Sequence, residues 1–124
     1  LAITHVTLAP GARAEIPWRT DFNALAYVLA GSGTVGVDQR PIRMGQMAAL
    51  TDGDTIVLHA DPVQESRSPN MDVFLIGGVP LREPVIQYGP FVMSTKEEII
   101  QAFEDFQAGR FGHIPPEAIQ PYRA

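Results

Sequence analysis

Three histidines, His5, His59 and His113, are the side chains of this sequence best suited to metal binding or proton transfer near neutral pH. Asp61 follows His59 by two residues, so the two side chains would share one face of a strand. Among pairs that include a histidine, no other spacing suits two metal ligands, and a metal site would still need a further ligand and supporting hydrogen bonds. We therefore interpret His59 as a strand-end histidine capped by a loop acid, with a metal site at His59 and Asp61 as the alternative.

Hydroxyl side chains and closely spaced glycines are present, but they lack the sequence context that catalysis requires. Thr55, Ser66 and Ser68 have no histidine and aspartate at the spacing of a catalytic triad. Residues 31–36 spell Gly-x-Gly-x-x-Gly, yet this motif lies between two predicted strands and does not open a helix, as a dinucleotide site requires. The absence of cysteine excludes thiol catalysis, disulfides and thiolate metal sites. No catalytic residue is predicted.

Trp18, Arg19 and Tyr27 are the candidates for binding a small molecule. If the strands around them close into a barrel, Trp18 and its neighbour Arg19 would lie at its mouth, where an indole ring can stack on a small aromatic ligand. The alternative interpretation is structural: a single tryptophan in a β-sandwich belongs to the core or rim. On that interpretation Tyr27 is a core residue whose hydroxyl finds a hydrogen-bond partner.

Composition and charge exclude several classes of partner. The 124 residues carry 14 acidic and 9 basic side chains, and the resulting net charge of −5 argues against direct contact with nucleic acid. The sequence contains no apolar run long enough for a membrane span and no signal-peptide pattern, so we expect a cytoplasmic protein without a membrane partner. The length fits one domain, residues 1–124. Leu1 stands in place of an initiating Met, which is compatible with a piece of a longer chain.

Residues 1–76 read as short strands separated by glycine and proline turns, a pattern typical of a sandwich or barrel. The stretch 25–30 is apolar on both faces, which predicts a central strand. The turn at 52–54 predicts a hairpin between the strands on either side of it, and residues 61–70 are expected to form a mobile loop. The predicted strands cover residues 2–8, 14–16, 25–30, 34–37, 46–50, 55–59 and 71–76.

Residues 77–94 form a predicted proline-rich loop. Its three prolines fix φ and favour an extended backbone, and its apolar content indicates that it lies against a surface. Glu83 and Tyr88 are interpreted as structural locks or, alternatively, as contacts with another domain or partner. The candidates for domain packing or interaction are Glu83, Tyr88, Phe91 and Phe111. The side chains expected to make the loop's contacts are Leu81, Val85, Ile86, Tyr88 and Phe91.

The next segment, residues 95–108, is predicted to be an amphipathic helix. Thr95 and Glu98 have the spacing of a capping box, which satisfies backbone N–H groups at a helix start. Gly109 stands where a left-handed residue ends a helix, and it opens the predicted tail, 109–124. The apolar stripe consists of Ile99, Phe103 and Phe106.

The loop and helix together also carry a resemblance to a known family. Residues 77–112 follow the arrangement GGxPLxEPVxxYGPFVM…EEIxQAFxDFQxGRFG. This arrangement resembles the C-terminal signature of the pirin family, a branch of the cupin superfamily, and the likeness continues more weakly back through the strands. It implies an all-β fold, a double-sheet jelly roll (cupin) with one C-terminal amphipathic helix. It also implies that the chain corresponds to the second half of a pirin-like protein with two cupin domains.

The resemblance also indicates where a metal would lie. In metal-binding cupins two histidines spaced by one residue, a carboxylate and a later histidine hold Fe, Mn, Ni or Cu. Placed on this sequence, those positions fall near residues 17–19, near Asn23 or Ala24, and near Gln64. None of these residues is a strong metal ligand. The resemblance therefore implies no cofactor in this domain, with iron in the family's N-terminal domain.

These expectations lead to one principal hypothesis for function and two alternatives. The first is a metal-free, non-catalytic cupin domain with a structural, domain-packing or protein-interaction role. Its partner would be a pirin-like N-terminal cupin domain, or a second copy in a homodimer, and separation from that partner would expose an apolar patch. The second is a part of a metal-dependent quercetin (flavonol) dioxygenase whose active site lies in an N-terminal domain. The third is a cupin that binds a small ligand.

Overall fold

A computed structural model describes residues 1–65 and 67–118 of the chain. Ser66, one of the hydroxyl residues considered above, and residues 119–124 of the predicted tail lie outside the described residues. Backbone contacts divide the chain into two compact units, Leu1–Pro80 and a second unit that begins at Leu81. The single domain predicted over residues 1–124 stays a prediction.

The first unit contains eight strands in two four-stranded antiparallel sheets. They are β1 (Ala2–Leu8), β2 (Arg13–Pro17), β3 (Ala24–Ala30), β4 (Ser32–Val35), β5 (Arg40–Arg43), β6 (Met47–Leu50), β7 (Thr55–Ala60) and β8 (Met71–Gly77). The strand orders are β1-β8-β3-β6 and β2-β7-β4-β5. The chain changes sheet at every connection except that between β4 and β5, so the expected double-sheet jelly roll is confirmed.

The predicted hairpin between residues 46–50 and 55–59 is wrong. β6 pairs with β3, whereas β7 pairs with β2 and β4 in the opposite sheet. The turn residues indicate that the chain reverses, but the partner of each strand depends on where its apolar residues are buried. β5 was also missed, because residues 38–41, which include its first two residues, have the composition of a turn.

The core lies between the two sheets and follows from the alternation of each strand. In β8, Met71, Val73 and Leu75 are fully buried, while the residues between them face outward and are half-buried. Burial on this scale contributes roughly 1.5–3 kcal/mol for each large apolar side chain. The buried cluster consists of Leu8, Ala24, Ala26, Val28, Val35, Ile42, Ile56, Leu58, Ala60, Met71, Val73 and Leu75.

β3 is a central strand, as predicted, because it lies between β8 and β6. Its inward residues Ala26 and Val28 are fully buried, whereas Tyr27 and Leu29 are partly exposed on the outer side. The prediction of Tyr27 as a core or barrel-lining residue is therefore wrong. Both sides of the strand are apolar in sequence, so the alternation could not indicate which side faces the core.

The second unit contains two further strands, β9 (Ile86–Tyr88) and β10 (Phe91–Met93), and the helix α1 (Lys96–Gln107). β9 and β10 pair as an antiparallel hairpin inside the segment that was predicted to be a loop. The hairpin is compatible with the prolines because Pro84 precedes β9 and Pro90 lies in the turn. Leu81 and Val85 are largely exposed, so their predicted role as contacts is not supported.

α1 begins and ends within one residue of the predicted boundaries. Thr95 is its N-cap: the hydroxyl accepts a hydrogen bond from the Glu98 N–H at 3.2 Å and donates to the Glu98 carboxylate at 3.0 Å. Half of the predicted capping box is thus confirmed: the Thr95 hydroxyl caps the helix, whereas the Glu98 carboxylate bonds that hydroxyl and not the Thr95 backbone N–H. Gly109 follows the helix with φ +73°, as predicted. In the described part of the chain, no helix combines the length and apolar character of a membrane span.

Candidate functional site

Trp18, Asn23, Gly77 and Gly78 form a hydrogen-bonded cluster, here called the Trp18–Asn23 lock. The indole N–H of Trp18 donates to the backbone oxygen of Asn23 at 3.1 Å. Asn23 exchanges two bonds with Gly78: its N–H donates to the Gly78 oxygen, and its side-chain oxygen accepts from the Gly78 N–H, both at 2.9 Å. A Cβ at Gly77 would collide with the Asn23 oxygen and come within 2.8 Å of the Trp18 ring. The lock fastens the loop after β2 to the end of β8.

Arg19 is engaged on the surface of the same loop. Its guanidinium donates to both carboxylate oxygens of Asp21, at 2.9 and 2.6 Å, and lies over the ring of Phe22 at 4.6 Å. The hydrogen bond from Arg19 lowers the pKa of Asp21, and the same bond raises the pKa of Arg19. Arg19 therefore has two partners of its own and is not among the residues that line the cavity described below.

Gln64 does not lie near residues 17–19, so its predicted place as the third ligand position is wrong. Its side-chain amide bonds both backbone groups of Ser32, at 2.8 and 2.9 Å, beside the C-terminal end of β7. Pro17 pairs with Thr55 at the opposite end of β7, roughly 16 Å away along the strand. The buried β7 residue next in register to Pro17 is Ile56. Counting residues after Gly53 could not reveal this, because it ignores strand pairing.

The residues around Pro17, where the resemblance places metal ligands, do not fit a metal ion. Ala24 and Ile56 present only hydrocarbon side chains, and the polar groups of the Trp18–Asn23 lock already bond the backbone. The alternative pair is no better assembled: His59 is half-buried in β7, while the Asp61 carboxylate accepts from the Ser32 hydroxyl at 2.8 Å. Across residues 1–65 and 67–118, no three His, Asp or Glu side chains gather as a ligand group.

A cavity of about 960 Å³ opens between the edges of the two sheets, at the end where β7 begins. Trp18 lines it and Tyr27 does not, and ligand binding by Trp18 stays a prediction. Its buried apolar lining includes Ala24, Val35, Ile42 and Ile56. Exposed polar side chains surround the opening, among them Asp38, Arg40, Asp52 and Asp54. Residues 52–54 are recognisable in sequence as a turn, and the two acids within it are the signal that could have indicated this opening.

The sheet β1-β8-β3-β6 carries a second feature, here called the outer apolar face. In strand register, one row contains Ile3, Ile76, Leu25 and Ala49, and the next contains His5, Phe74, Tyr27 and Met47. Ile3 is 63% exposed, Met47 61% and Tyr27 39%. His5 packs edge-on against Phe74 at 5.3 Å and lies 3.3 Å from Asp72 at the polar end of the face. The outward residues of a sheet with one solvated face are normally polar, whereas those of this face are mostly apolar.

The interaction candidates of the second unit lie in or beside an aromatic cluster. Phe91 is at its centre, with ring centroids 4.9 Å from Phe103 and 6.0 Å from Phe111. Tyr88 meets Phe103 edge-on at 5.7 Å. Glu83 accepts a hydrogen bond from the Ser94 hydroxyl at 3.0 Å, which fits a structural lock between the proline segment and the helix start. The part played by these residues with a partner stays a prediction.

Known proteins with similar sequences agree with this architecture. The chain is 38% identical over 107 residues to a pirin-like protein of Solanum lycopersicum and 40% identical over 108 residues to Pirin of Homo sapiens. These matches cover 86% and 85% of this chain and 35% of each relative. A crystal structure of quercetin 2,3-dioxygenase from Acinetobacter baumannii superimposes with a TM-score of 0.75 at 31% identity, covering 91% of this chain and 37% of that one.

The chain thus spans about a third of the length of the curated relatives that it matches. A match to the family described as the Pirin C-terminal cupin domain runs over residues 3–112, from the second residue of β1 to beyond the end of α1. On this match, and on a two-sheet jelly roll shared with a solved relative, the chain belongs to the Pirin C-terminal cupin domain family.

Proposed function

We propose that this chain is a non-catalytic cupin domain that packs against a second cupin domain through its outer apolar face. The observation that carries the proposal is that face itself, with two rows of mostly apolar side chains across all four strands. Burying such a face stabilises an assembly by about 25 cal/mol for each Å² of apolar surface. A contiguous exposed apolar patch on a sheet is a common mark of an association surface.

The size of the face supports a domain-sized partner. Four strands about 4.8 Å apart span roughly 15 Å. An apolar face of that width matches the central part of a protein–protein interface, and a partner of domain size would also cover the surface around it. His5, Asp72 and Thr7 provide polar groups at one edge, and Thr7 donates to Asp72 at 2.7 Å. An apolar centre with a polar rim is the usual anatomy of a protein–protein interface.

The length of the relatives indicates which partner covers the outer apolar face, here called the occupant. Matched relatives extend over about three times the length that this chain covers, so they contain enough additional chain for a further domain of this size. We take the occupant to be a cupin domain supplied by that additional chain. A second copy of this chain is the competing occupant, and the experiment below distinguishes the two.

In this proposal, any dioxygenase chemistry takes place outside this chain. The positions at which the resemblance places metal ligands near Pro17 hold the Trp18–Asn23 lock and the hydrocarbon side chain of Ala24. Flavonol (quercetin) dioxygenase activity, the alternative function for a whole pirin-like protein, would then require iron in an N-terminal domain. The purified chain supplied with Fe(II) is expected to consume no quercetin.

Methionine oxidation provides a direct test of the outer apolar face. Met47 lies on the face and is 61% exposed, while Met44 lies in the turn before β6 and is 62% exposed. Dilute hydrogen peroxide should therefore oxidise both at similar rates in the isolated chain, as followed by peptide mass spectrometry. The second sample is full-length Homo sapiens Pirin in which residues 3–112 of this chain replace the matched region. There Met47 should oxidise at least about fivefold more slowly, while Met44 keeps its rate.

The outcomes separate the occupants. Equal oxidation of Met47 and Met44 in the chimaera would show that the face stays open and would contradict the proposal. Protection of Met47 in the isolated chain, increasing with concentration and accompanied by a dimer in analytical ultracentrifugation, would assign the face to a second copy. A Tyr27→Lys variant should restore rapid oxidation of Met47 in the chimaera, because a buried unpaired charge opposes docking.

A further inference from the structure

The cavity beside Trp18 has a polarity that restricts what it can bind. Its lining combines buried hydrocarbon side chains of the core with the half-buried Trp18, Ala48 and Leu50, and the described residues contain no buried polar or charged side chain. A ligand's polar group therefore finds no side-chain partner in the interior, and its transfer from water into the interior would be unfavourable. Only an apolar portion of a ligand can occupy the interior, and any polar group must stay at the opening.

The charges at the opening decide which polar group suits it. Asp38 is paired with Arg40, whose Nε lies 3.2 Å from the carboxylate. Asp52 and Asp54 have no basic side chain in salt-bridge contact within the described residues, and the bond that Asp54 accepts from the Thr55 hydroxyl at 2.9 Å leaves its negative charge in place. The opening thus carries two uncompensated carboxylates, which attract a cation and repel an anion.

Trp18 adds a third element at the side of this opening. The lock fixes the indole ring through its N–H, so the ring is held in place before a ligand arrives. Aromatic faces favour cations and flat apolar groups, and a preorganised ring loses little entropy on binding. The cavity volume of about 960 Å³ is within the usual range for small-molecule sites.

We propose that the cavity between the sheet edges binds a small amphipathic amine, with its apolar body against the half-buried Trp18 and Leu50 and its ammonium group at Asp52 and Asp54. This inference does not depend on the partner proposed for the outer apolar face. The apolar body displaces water from the half-buried apolar side chains of the lining, while the ammonium group remains partly solvated between the two carboxylates.

The only tryptophan of the sequence makes the proposal measurable, since a change in its fluorescence reports on the cavity itself. Three probes with the same phenyl body differ in charge: phenethylamine, 2-phenylethanol and 3-phenylpropanoate. Phenethylamine should change Trp18 emission saturably and bind about three- to tenfold more tightly than 2-phenylethanol, with 3-phenylpropanoate weakest. The preference for the amine should decrease as salt is added.

Variants assign the preference to the opening. Asp52→Asn with Asp54→Asn removes both charges in an exposed turn and should reduce the amine's advantage over the alcohol to less than about twofold. Glu15→Gln with Glu65→Gln removes two charges outside the cavity lining and should leave the advantage unchanged. Equal affinity for the three probes, absence of saturation below about 10 mM, or an undiminished preference in the Asp52 and Asp54 variant would each overturn the proposal.

Discussion

Gly77→Ala tests how the Trp18–Asn23 lock holds the end of the first unit. The added methyl group would overlap the backbone oxygen of Asn23 and approach the Trp18 ring to 2.8 Å, so β8 and the loop must separate. Overpacking of this kind costs about 1–3 kcal/mol. Loosening the hydrogen bonds of the lock adds about 1–2 kcal/mol, and the reduced entropy of the unfolded chain offsets about 0.5–1 kcal/mol. The free energy of unfolding should fall by about 2–4 kcal/mol.

Urea denaturation followed by fluorescence measures this loss, because Trp18 belongs to the lock and is the sole tryptophan. The midpoint should move down by about 1–2 M at the usual urea dependence for a small domain. The native emission spectrum of the Gly77→Ala variant should also shift to longer wavelength, as the indole loses its partner and gains contact with water.

Gly53→Ala is the matched control, since it makes the same chemical change in the same unit. An added Cβ at Gly53 meets no atom within 4 Å, and the backbone there is not left-handed. Its free energy of unfolding should stay unchanged or increase by up to about 1 kcal/mol. If Gly77→Ala unfolds at the same urea concentration as Gly53→Ala, the argument from close packing at the lock is refuted.

Two predictions concern the helix. Thr95→Ala removes the N-cap hydroxyl and should destabilise α1 by about 1 kcal/mol. Amide hydrogen exchange over residues 96–107 measures this loss, and Thr95→Ser should retain the protection. Equal exchange in the two variants would contradict the role of the cap. Hydrogen bonds from Gln101 and then Arg110 lower the pKa of Asp105, so its contribution to stability should be complete above about pH 4 and lost as the pH falls through the lowered value. NMR titration should show the Asp105 pKa rising in Gln101→Ala and in Arg110→Ala, and an unchanged pKa in both would refute this cause.

Local sequence patterns predicted the elements whose formation depends on neighbouring residues. The helix boundaries followed from the Thr95 cap and the Gly109 stop, which act within one turn of the chain. Seven of the eight strands of the first unit were also located, because alternation and turn residues mark them. The resemblance to the pirin family supplied the two-sheet arrangement that these local signals alone could not specify.

Features that depend on pairing between distant residues could not be read in this way. Tyr27 and Val28 are adjacent and both largely apolar, so the sequence does not indicate which of them is buried. The position of β3 against the second sheet decides it. Gln64 follows Gly53 at a plausible distance in sequence but lies at the far end of β7, beside Ser32. The outer apolar face likewise appears only when four strands are placed in register.

The Trp18–Asn23 lock has an evolutionary consequence. A substitution that introduced a histidine at position 18 or a glutamate at position 23 would remove a hydrogen bond that now fastens the loop to β8. Such a lineage would lose stability at the first step, while metal affinity would appear only after several ligands were present together. The lock therefore links positions 18 and 23 to the stability of the fold, so that selection for stability opposes the appearance of metal ligands at either position.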